Sequence, residues 1–227
     1  MTLEQTLQHY FGYTSFRPGQ KEIIENLVNG KDVVAILPTG MGKSLCYQLP
    51  GYLFKQPVLI VSPLLSLMQD QVDQLKQMGE KRVVALNSFL SHQQKNYALH
   101  FLHEYRFIFV SPEMLLQPQV KNRLASMELS LIVADEAHCI SQWGYDFRPD
   151  YLRIGEVIQM TNRPPILALS ATATDEVIED IQTFLHMKEP FSYTHSVNRP
   201  NIHLVKKFFN HKDDKITWIL NHVNETA

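Results

Sequence analysis

The sequence predicts an α/β fold, with a mostly parallel β-sheet covered by helices on both faces. Short apolar runs recur along the chain, amphipathic helical patterns separate them, and the runs are apolar at nearly every position rather than at alternate ones. Runs of this kind are typical of strands buried on both faces, and strands that alternate with helices form parallel sheets. With 227 residues, of which 44% are hydrophobic and 19% charged, the chain can bury a sizeable core.

Six of the apolar runs are predicted to be strands, and most of them are rich in β-branched residues. In chain order they are DVVAIL (32–37), PVLIVS (57–62), RVVALN (82–87), FIFVS (107–111), LSLIVA (129–134) and PILALS (165–170).

Helices are predicted between these strands. Apolar residues at spacings of three and four run from Leu64 to Met78, and a similar pattern from Ile23 to Val28 ends at Asn29-Gly30. Thr174 is followed by two acidic residues, which is typical of a helix N-cap and first turn. Ligands of such folds bind beyond the carboxyl ends of the strands, where most of the polar motifs fall.

Composition narrows the class of protein. The first ten residues lack the basic region and long apolar run of a signal peptide, and no apolar run reaches membrane-spanning length, so we expect no membrane partner. Cys46 and Cys139 have no metal-like spacing, which favours free thiols in a reducing, cytoplasmic setting. The formal net charge of −2 predicts no strongly basic surface.

A phosphate-binding loop is predicted in PTGMGKS (38–44), between the first strand and a helix. Gly40 and Gly42 allow backbone N–H groups to turn inward around a phosphate, Lys43 adds a positive charge, and Ser44 offers a hydroxyl to Mg²⁺. The strict pattern has glycine where this chain has Leu37, so the match is to the shorter T-G-x-G-K-S form. A glycine-rich turn before a helix is the alternative. The residues assigned to the phosphates are Thr39, Gly40, Met41, Gly42, Lys43 and Ser44.

Two adjacent carboxylates, Asp135 and Glu136, follow the apolar strand that ends at Ala134. Beside a phosphate loop, Asp135 can hold the Mg²⁺ shell and Glu136 can orient or deprotonate an attacking water. We therefore predict ATP and Mg²⁺ as cofactors. Ser44 and Asp135 are expected to ligate the Mg²⁺, partly through water. Without the phosphate loop, a solvated strand end would be the better interpretation.

The loop SQWGYDFRPDY (141–151) then carries four aromatic rings among glycine, acidic, basic and proline residues. A ring face stacks on any base without reading its sequence, at about 1–3 kcal/mol each. Arg148 can add a phosphate or cation–π contact. We predict that Trp143, Phe147 and Arg148 contact a single strand and report to the acids upstream; the alternative is that Trp143 and Phe147 cap the core.

Together these motifs resemble those of superfamily 2 helicases, through PTGMGKS, DEAH (135–138) and SATAT (170–174). FGYTSFRPGQ (11–20) and the aromatic-rich loop narrow the resemblance to the RecQ family of ATP-dependent DNA helicases, over essentially the whole chain. The loop departs at one position, since Tyr145 stands where the family usually has histidine. The resemblance implies a RecA-like P-loop NTPase fold in which the loop senses single-stranded DNA.

The segment 11–20 offers the parts of an adenine site. The Gln20 amide presents a donor and an acceptor that fit the N6 and N7 edge of adenine. The resemblance implies that Tyr13 and Arg17 sandwich the base. A Pro-Gly turn before a helix is the alternative.

Other polar residues lie at the ends of predicted strands. Ser170 and Thr172 can hydrogen-bond to His138, which would link the nucleotide to the DNA side, although a helix cap is the alternative for SATAT. Helix capping is also the alternative for the residues that the resemblance assigns to the DNA backbone, which are Ser62, Ser66 and Gln69.

Two domains are predicted. Residues 1–195 form the ATP-binding RecA-like domain. Residues 196–227 comprise the interdomain link NRPNI (198–202), an overlapping strand NIHLVKKFF (201–209) and a helix DDKITWILNHV (213–223) that open a second RecA-like domain. One strand and one helix do not make a domain, so we expect a fragment of a larger helicase.

The predicted function is that of the N-terminal motor domain of a RecQ-type 3'-5' DNA helicase, which couples ATP hydrolysis to unwinding in the full-length protein. Its expected partners are single-stranded and partly duplex DNA and the remainder of the same helicase, in DNA repair and recombination. One alternative is an RNA-directed superfamily 2 ATPase, against which the rings from Trp143 to Phe147 argue. The other is a nucleotide-gated nucleic-acid-binding module without turnover, against which Lys43 and the acid pair argue.

Overall fold

The computed structural model describes residues 2–144, 146–195, 206–209 and 211–223. The chain divides into two compact units, Met1–Val197 and Asn198–Ala227. The first unit contains the sheet and all of the candidate site residues. The second contains one described helix.

Within the described residues, the first unit holds a seven-stranded, all-parallel sheet with the strand order β3-β4-β2-β5-β6-β1-β7. The predicted α/β fold with a parallel sheet is therefore confirmed. The strands are β1 (Val33–Ile36), β2 (Val58–Val61), β3 (Val83–Leu86), β4 (Phe107–Val110), β5 (Leu131–Ala134), β6 (Ile166–Ser170) and β7 (Phe191–Thr194). The sequence predicted the first six. It missed β7, whose residues alternate between half-buried and exposed at the edge of the sheet.

Helices connect the strands and cover both faces. They are α1 (Leu3–Phe11), α2 (Gln20–Val28), α3 (Leu45–Leu53), α4 (Leu65–Gln77), α5 (His92–His100), α6 (Pro112–Leu115), α7 (Pro118–Ala125), α8 (Pro149–Leu152), α9 (Ile154–Met160), α10 (Asp175–Phe184) and, in the second unit, α11 (Lys212–Val223). Helix α10 begins as predicted, since the Thr174 hydroxyl accepts a hydrogen bond from the Val177 N–H.

Alternate residues of each central strand pack into different cores. In β1, Val34 and Ile36 belong to one cluster, whereas Val33 and Ala35 belong to the other. Both sets are buried, so the sheet has apolar layers on both faces, as the continuous apolar runs predicted. The arrangement brings the carboxyl ends of all seven strands to one edge, where polar motifs can meet.

The second unit is described by itself. Residues 206–209 form no strand, and the predicted link 198–202 and the first part of the predicted strand lie outside the described residues. Helix α11 covers the predicted helical segment; the ring of Phe209 lies 6.0 Å from that of Trp218, and Lys207 lies 4.7 Å from the centroid of the Trp218 ring. None of the described helices is long and apolar enough to cross a membrane.

Candidate functional site

The phosphate loop connects the end of β1 to the start of α3. Gly40 and Gly42 adopt φ values of +87° and +74°, which only glycine adopts without strain. Within the described residues, the N–H groups of Gly40, Gly42, Lys43 and Ser44 donate no hydrogen bond. Unpaired amides at the start of a helix form a ready site for an anion.

Two of the three side chains predicted to bind adenine, Gln20 and Arg17, lie against this loop. The Gln20 amide nitrogen donates to the carbonyl oxygens of Met41 and Gly42, at 3.1 Å each, and its amide oxygen accepts the Arg17 N–H at 2.9 Å. The Arg17 guanidinium donates to the Gly40 carbonyl oxygen. Gln20 is buried, whereas Tyr13 is 59% exposed. The segment 11–20 and the phosphate loop therefore form one surface. To bind a base, Gln20 would exchange its hydrogen bonds to the loop for hydrogen bonds to that base.

A chain of polar contacts crosses the strand ends from the loop to β6. Lys43 Nζ lies 3.2 Å from Glu136 Oε1, and Glu136 Oε2 lies 3.5 Å from His138 Nδ1. That same histidine nitrogen lies 3.0 Å from the Ser170 hydroxyl. Thr172 takes part through its backbone, because its carbonyl oxygen accepts from the Ser170 hydroxyl at 2.8 Å. The predicted link from SATAT to His138 thus runs through Ser170.

Glu136 itself adopts a left-handed backbone conformation, with φ of 48°. Such a conformation is uncommon for a residue other than glycine, and it occurs disproportionately at functional sites. Glu136 lies just beyond the end of β5 and directly before a short 3-10 turn that begins at Ala137. The backbone therefore turns at the glutamate, whose carboxylate reaches both Lys43 and His138.

Asp135 is held from several directions. Its carboxylate accepts the Glu136 N–H at 3.1 Å and the Ser62 hydroxyl at 3.3 Å, and its backbone carbonyl accepts the Tyr151 hydroxyl at 2.9 Å. Burial, followed by repulsion from Glu136, raises the pKa of Asp135 to about 6, against a smaller lowering effect of Lys43. The acid is therefore fixed in position but costly to ionise in the absence of a cation.

One placement differs from a sequence-based expectation, and one ring of the aromatic-rich loop lies in the core. Ser62 is 2% exposed and donates to Asp135, which argues against a contact with the DNA backbone and makes it a support for the acid. Tyr151 is fully buried and belongs to the core rather than to the exposed rings of the loop. Its pairing with Asp135 has no signature in the sequence, because it depends on how α8 packs against the 3-10 turn 137–140.

The oxygen donors present fit Mg²⁺. Asp135 supplies a carboxylate and Ser44 a half-buried hydroxyl that makes no capping bond to α3. No group of three or more His, Cys, Asp or Glu residues that could hold a metal occurs in the described part of the chain. Proteins usually bind Mg²⁺ through one or two carboxylates together with waters and substrate phosphates.

The aromatic-rich loop is anchored to the body of the domain near its start. The buried Ser141 hydroxyl donates to Asp180 at 2.6 Å and accepts the Trp143 N–H at 3.1 Å. A Cβ at Gly144 would lie 2.1 Å from the His138 carbonyl oxygen, so the loop passes too close for a side chain there. Trp143 is nevertheless 81% exposed, at the rim of a cleft of about 450 Å³ that also contacts His138. Tyr145 lies outside the described residues.

Further along the loop, hydrogen bonds hold the Arg148 side chain in place. Its guanidinium donates to Asp146 at 2.8 Å and to the Pro63 carbonyl oxygen at 3.2 Å. Phe147 is half-buried. Ser66 and Gln69 are exposed on α4, and the Gln69 amide donates to Asp73. The candidate DNA-contacting residues other than Ser62 are thus at least partly accessible along one edge of the sheet.

Comparison with known proteins identifies the class. Residues 17–181 match the DEAD/DEAH box helicase family, so the chain belongs to that family. A solved structure with the same fold is the helicase domain of Pyrococcus furiosus Hef, with a TM-score of 0.64, 22% identity, and 88% of this chain and 40% of that chain covered.

The RecQ resemblance is confirmed by curated relatives. The chain is 55% identical over 202 residues to the probable ATP-dependent DNA helicase RecS of Bacillus subtilis, covering 89% of this chain and 41% of that protein. It is 41% identical to the ATP-dependent DNA helicase RecQ of Pasteurella multocida, covering 91% and 33%. A putative ATP-dependent RNA helicase, R290 of Acanthamoeba polyphaga mimivirus, is also 41% identical, covering 89% and 37%. The chain thus spans between one third and about two fifths of these relatives.

Proposed function

We propose that the first unit is the motor domain of a RecQ-type ATP-dependent DNA helicase, which binds ATP and Mg²⁺ and couples hydrolysis to 3'-5' unwinding within a longer protein. The observation that carries the proposal is the continuous set of contacts Lys43–Glu136–His138–Ser170 across the strand ends. These contacts connect a phosphate loop to the segment from which the aromatic-rich loop begins. The partners would be single-stranded and partly duplex DNA and the other domains of that protein, and the two free, buried cysteines accord with a cytoplasmic location.

The residues divide the chemistry between them. The loop amides and Lys43 would hold the phosphates, with Lys43 turning from Glu136 towards them. The Glu136 carboxylate can then orient the attacking water and accept its proton. His138, which contacts both Glu136 and Ser170, would couple the position of Glu136 to Ser170. Bound Mg²⁺ would neutralise developing charge on the phosphates, with Asp135 and Ser44 on its protein side.

Calorimetry of ADP with Mg²⁺ tests the nucleotide site. Lys43→Ala should weaken ADP binding strongly, because the charge aimed at the phosphates is removed. Lys121→Ala is the matched control, since Lys121 also pairs with a glutamate, Glu156, but lies on α7 away from the loop. Unchanged ADP affinity in Lys43→Ala would contradict the proposed site.

The mimivirus relative supports a second candidate, an RNA-directed ATPase. Ring stacking alone does not separate the two nucleic acids. The separating measurement is ATP turnover by the longer protein with single-stranded DNA or RNA of equal sequence. We expect DNA to stimulate more strongly, and stronger stimulation by RNA would favour the second candidate.

A further inference from the structure

An exposed aromatic ring lies at the carboxyl end of β3, outside the residues assigned above. Phe89 occupies the turn 87–90 between β3 and α5, and it is 75% exposed. Single exposed apolar residues are common on proteins, so exposure alone assigns no role. The surroundings of this ring carry the argument.

The turn that presents Phe89 is fixed at both ends. Asn87 is 2% exposed, and its side-chain oxygen accepts the Phe89 N–H at 3.0 Å. At the other end, Ser91 caps α5 through reciprocal hydrogen bonds with Gln94, at 2.9 and 3.3 Å. A buried asparagine on one side and a capping box on the other leave the turn little freedom. The ring is therefore held out to solvent by a preorganised backbone.

A cavity of about 590 Å³ borders the same turn through Ser88 and Leu90. Its lining includes the cationic side chains Lys95 and Arg148, together with His92 and one acid, Glu113. Its lining also includes Pro63, two residues beyond the end of β2, and Ser111, which directly follows β4. Because Arg148 belongs to the aromatic-rich loop, the cavity is continuous from that loop to the turn carrying Phe89.

Basic side chains beside an exposed, rigidly presented ring can bind a single strand. Its phosphates pair with the basic side chains, and its bases stack on the ring. We propose that Phe89 is a stacking platform for one base of a single-stranded nucleic acid whose backbone crosses the cavity between the turn 87–90 and Arg148. The inference rests on the proposed function and extends the contact surface from the aromatic-rich loop to β3. It assigns a site to a residue that no motif of the sequence singled out.

Fluorescence anisotropy with a labelled oligothymidine, on the 227-residue chain at low salt, measures the effect. Phe89→Ala should weaken binding about five- to 150-fold, the loss expected for one stacking ring. Phe89→Tyr, which keeps the ring, should restore most of the affinity, whereas Phe89→Leu should not. Tyr97→Ala is the matched control, because Tyr97 is 65% exposed but lies on α5, outside the turn 87–90, with its ring centroid 4.9 Å from that of Phe101.

An oligonucleotide series with single abasic sites separates stacking from other effects. At the position whose base stacks on Phe89, loss of the base should weaken binding to the wild type. The same loss should hardly affect binding to Phe89→Ala, since the two changes remove the same contact. Equal affinity of Phe89→Ala and wild type, with measurable wild-type binding, would overturn the stacking role and leave the proposed function standing. The stacking role would also be overturned if Phe89→Leu restored the affinity lost in Phe89→Ala, or if no abasic position reproduced that loss. An apolar patch that contacts protein rather than a base behaves in that way. Absence of wild-type binding would instead defeat the proposed DNA activity, and this inference with it.

Discussion

The carboxylate of Asp135 occupies a position where a negative charge is costly. It is withdrawn from water and adjacent to Glu136, and these two effects raise its pKa to about 6 despite Lys43 and two hydrogen-bond donors. The ordinary pKa of such a group is 3.8. A site built to meet a divalent cation has this character, because the ion supplies the compensation that the protein lacks. The cost should appear as a stability effect when the cation is removed.

The stability of the metal-free protein should depend on pH through Asp135. Between about pH 4 and 6 the folded state holds a proton that the unfolded chain has lost, so this contribution to stability is full below that window and is lost as the pH rises through about 6. Asp135→Asn cannot ionise, so it should already be more stable than wild type by about 1.5 kcal/mol at pH 5, where the unfolded wild-type chain has lost the proton that the folded state keeps. At pH 8 it should be more stable than wild type by up to about 3 kcal/mol. Urea unfolding in chelator at both pH values measures this; a difference independent of pH would contradict it.

Sequence reasoning found the charged residues of the site but not all of their partners. Lys43, Glu136 and His138 each belong to a short motif, and their types alone indicated phosphate chemistry. The contact between Lys43 and Glu136 spans 93 positions along the chain, so local pattern could not predict it. Tyr151 was grouped with the loop rings because it follows them in sequence, yet its burial depends on the packing of α8.

At the level of elements, the amino ends of three strands meet at Asp32. This buried carboxylate accepts the Ile166 N–H at 2.9 Å and the Lys188 N–H at 2.7 Å, and it pairs with Arg163 at 2.6 Å. Its backbone carbonyl accepts the Phe191 N–H, which begins β7. The missed strand is thus fixed by a polar residue beside β1 and not by an apolar run, which explains why hydrophobic patterning did not reveal it.

Asp32→Ala should lower the free energy of unfolding by about 3–5 kcal/mol. The change leaves the guanidinium of Arg163 and two backbone N–H groups without their acceptor in a buried setting. Glu156→Ala is the matched control, because it removes a carboxylate that pairs with Arg153 and Lys121 at the surface, and it should change stability little. Chemical denaturation measures both variants. Equal stabilities would show that Asp32 does not join the three strands.

At the level of the whole molecule, all of the described residues proposed to contact the nucleotide belong to the first unit. The loop amides, Lys43 and the acid pair all belong to the first unit, and the relatives are more than twice as long as the part they share with this chain. In the family that the motifs resemble, the arginine that stabilises the γ-phosphoryl group comes from the second motor domain. Such an arginine typically contributes about 10³–10⁵ in rate.

We therefore expect the 227-residue chain to bind ADP, to hydrolyse ATP slowly with little stimulation by DNA, and to separate no strands. A version extended through the second motor domain should show DNA-stimulated turnover, because two domains can then close around the nucleotide and along the strand. In that version Trp143→Ala should reduce the stimulation while leaving ADP affinity unchanged, since Trp143 is 81% exposed and lies outside the phosphate loop. Phosphate release and strand separation, measured on both lengths in parallel, decide the matter. Robust unwinding by the 227-residue chain would defeat the argument, and loss of ADP binding in a folded Trp143→Ala variant would place the aromatic-rich loop in the nucleotide site.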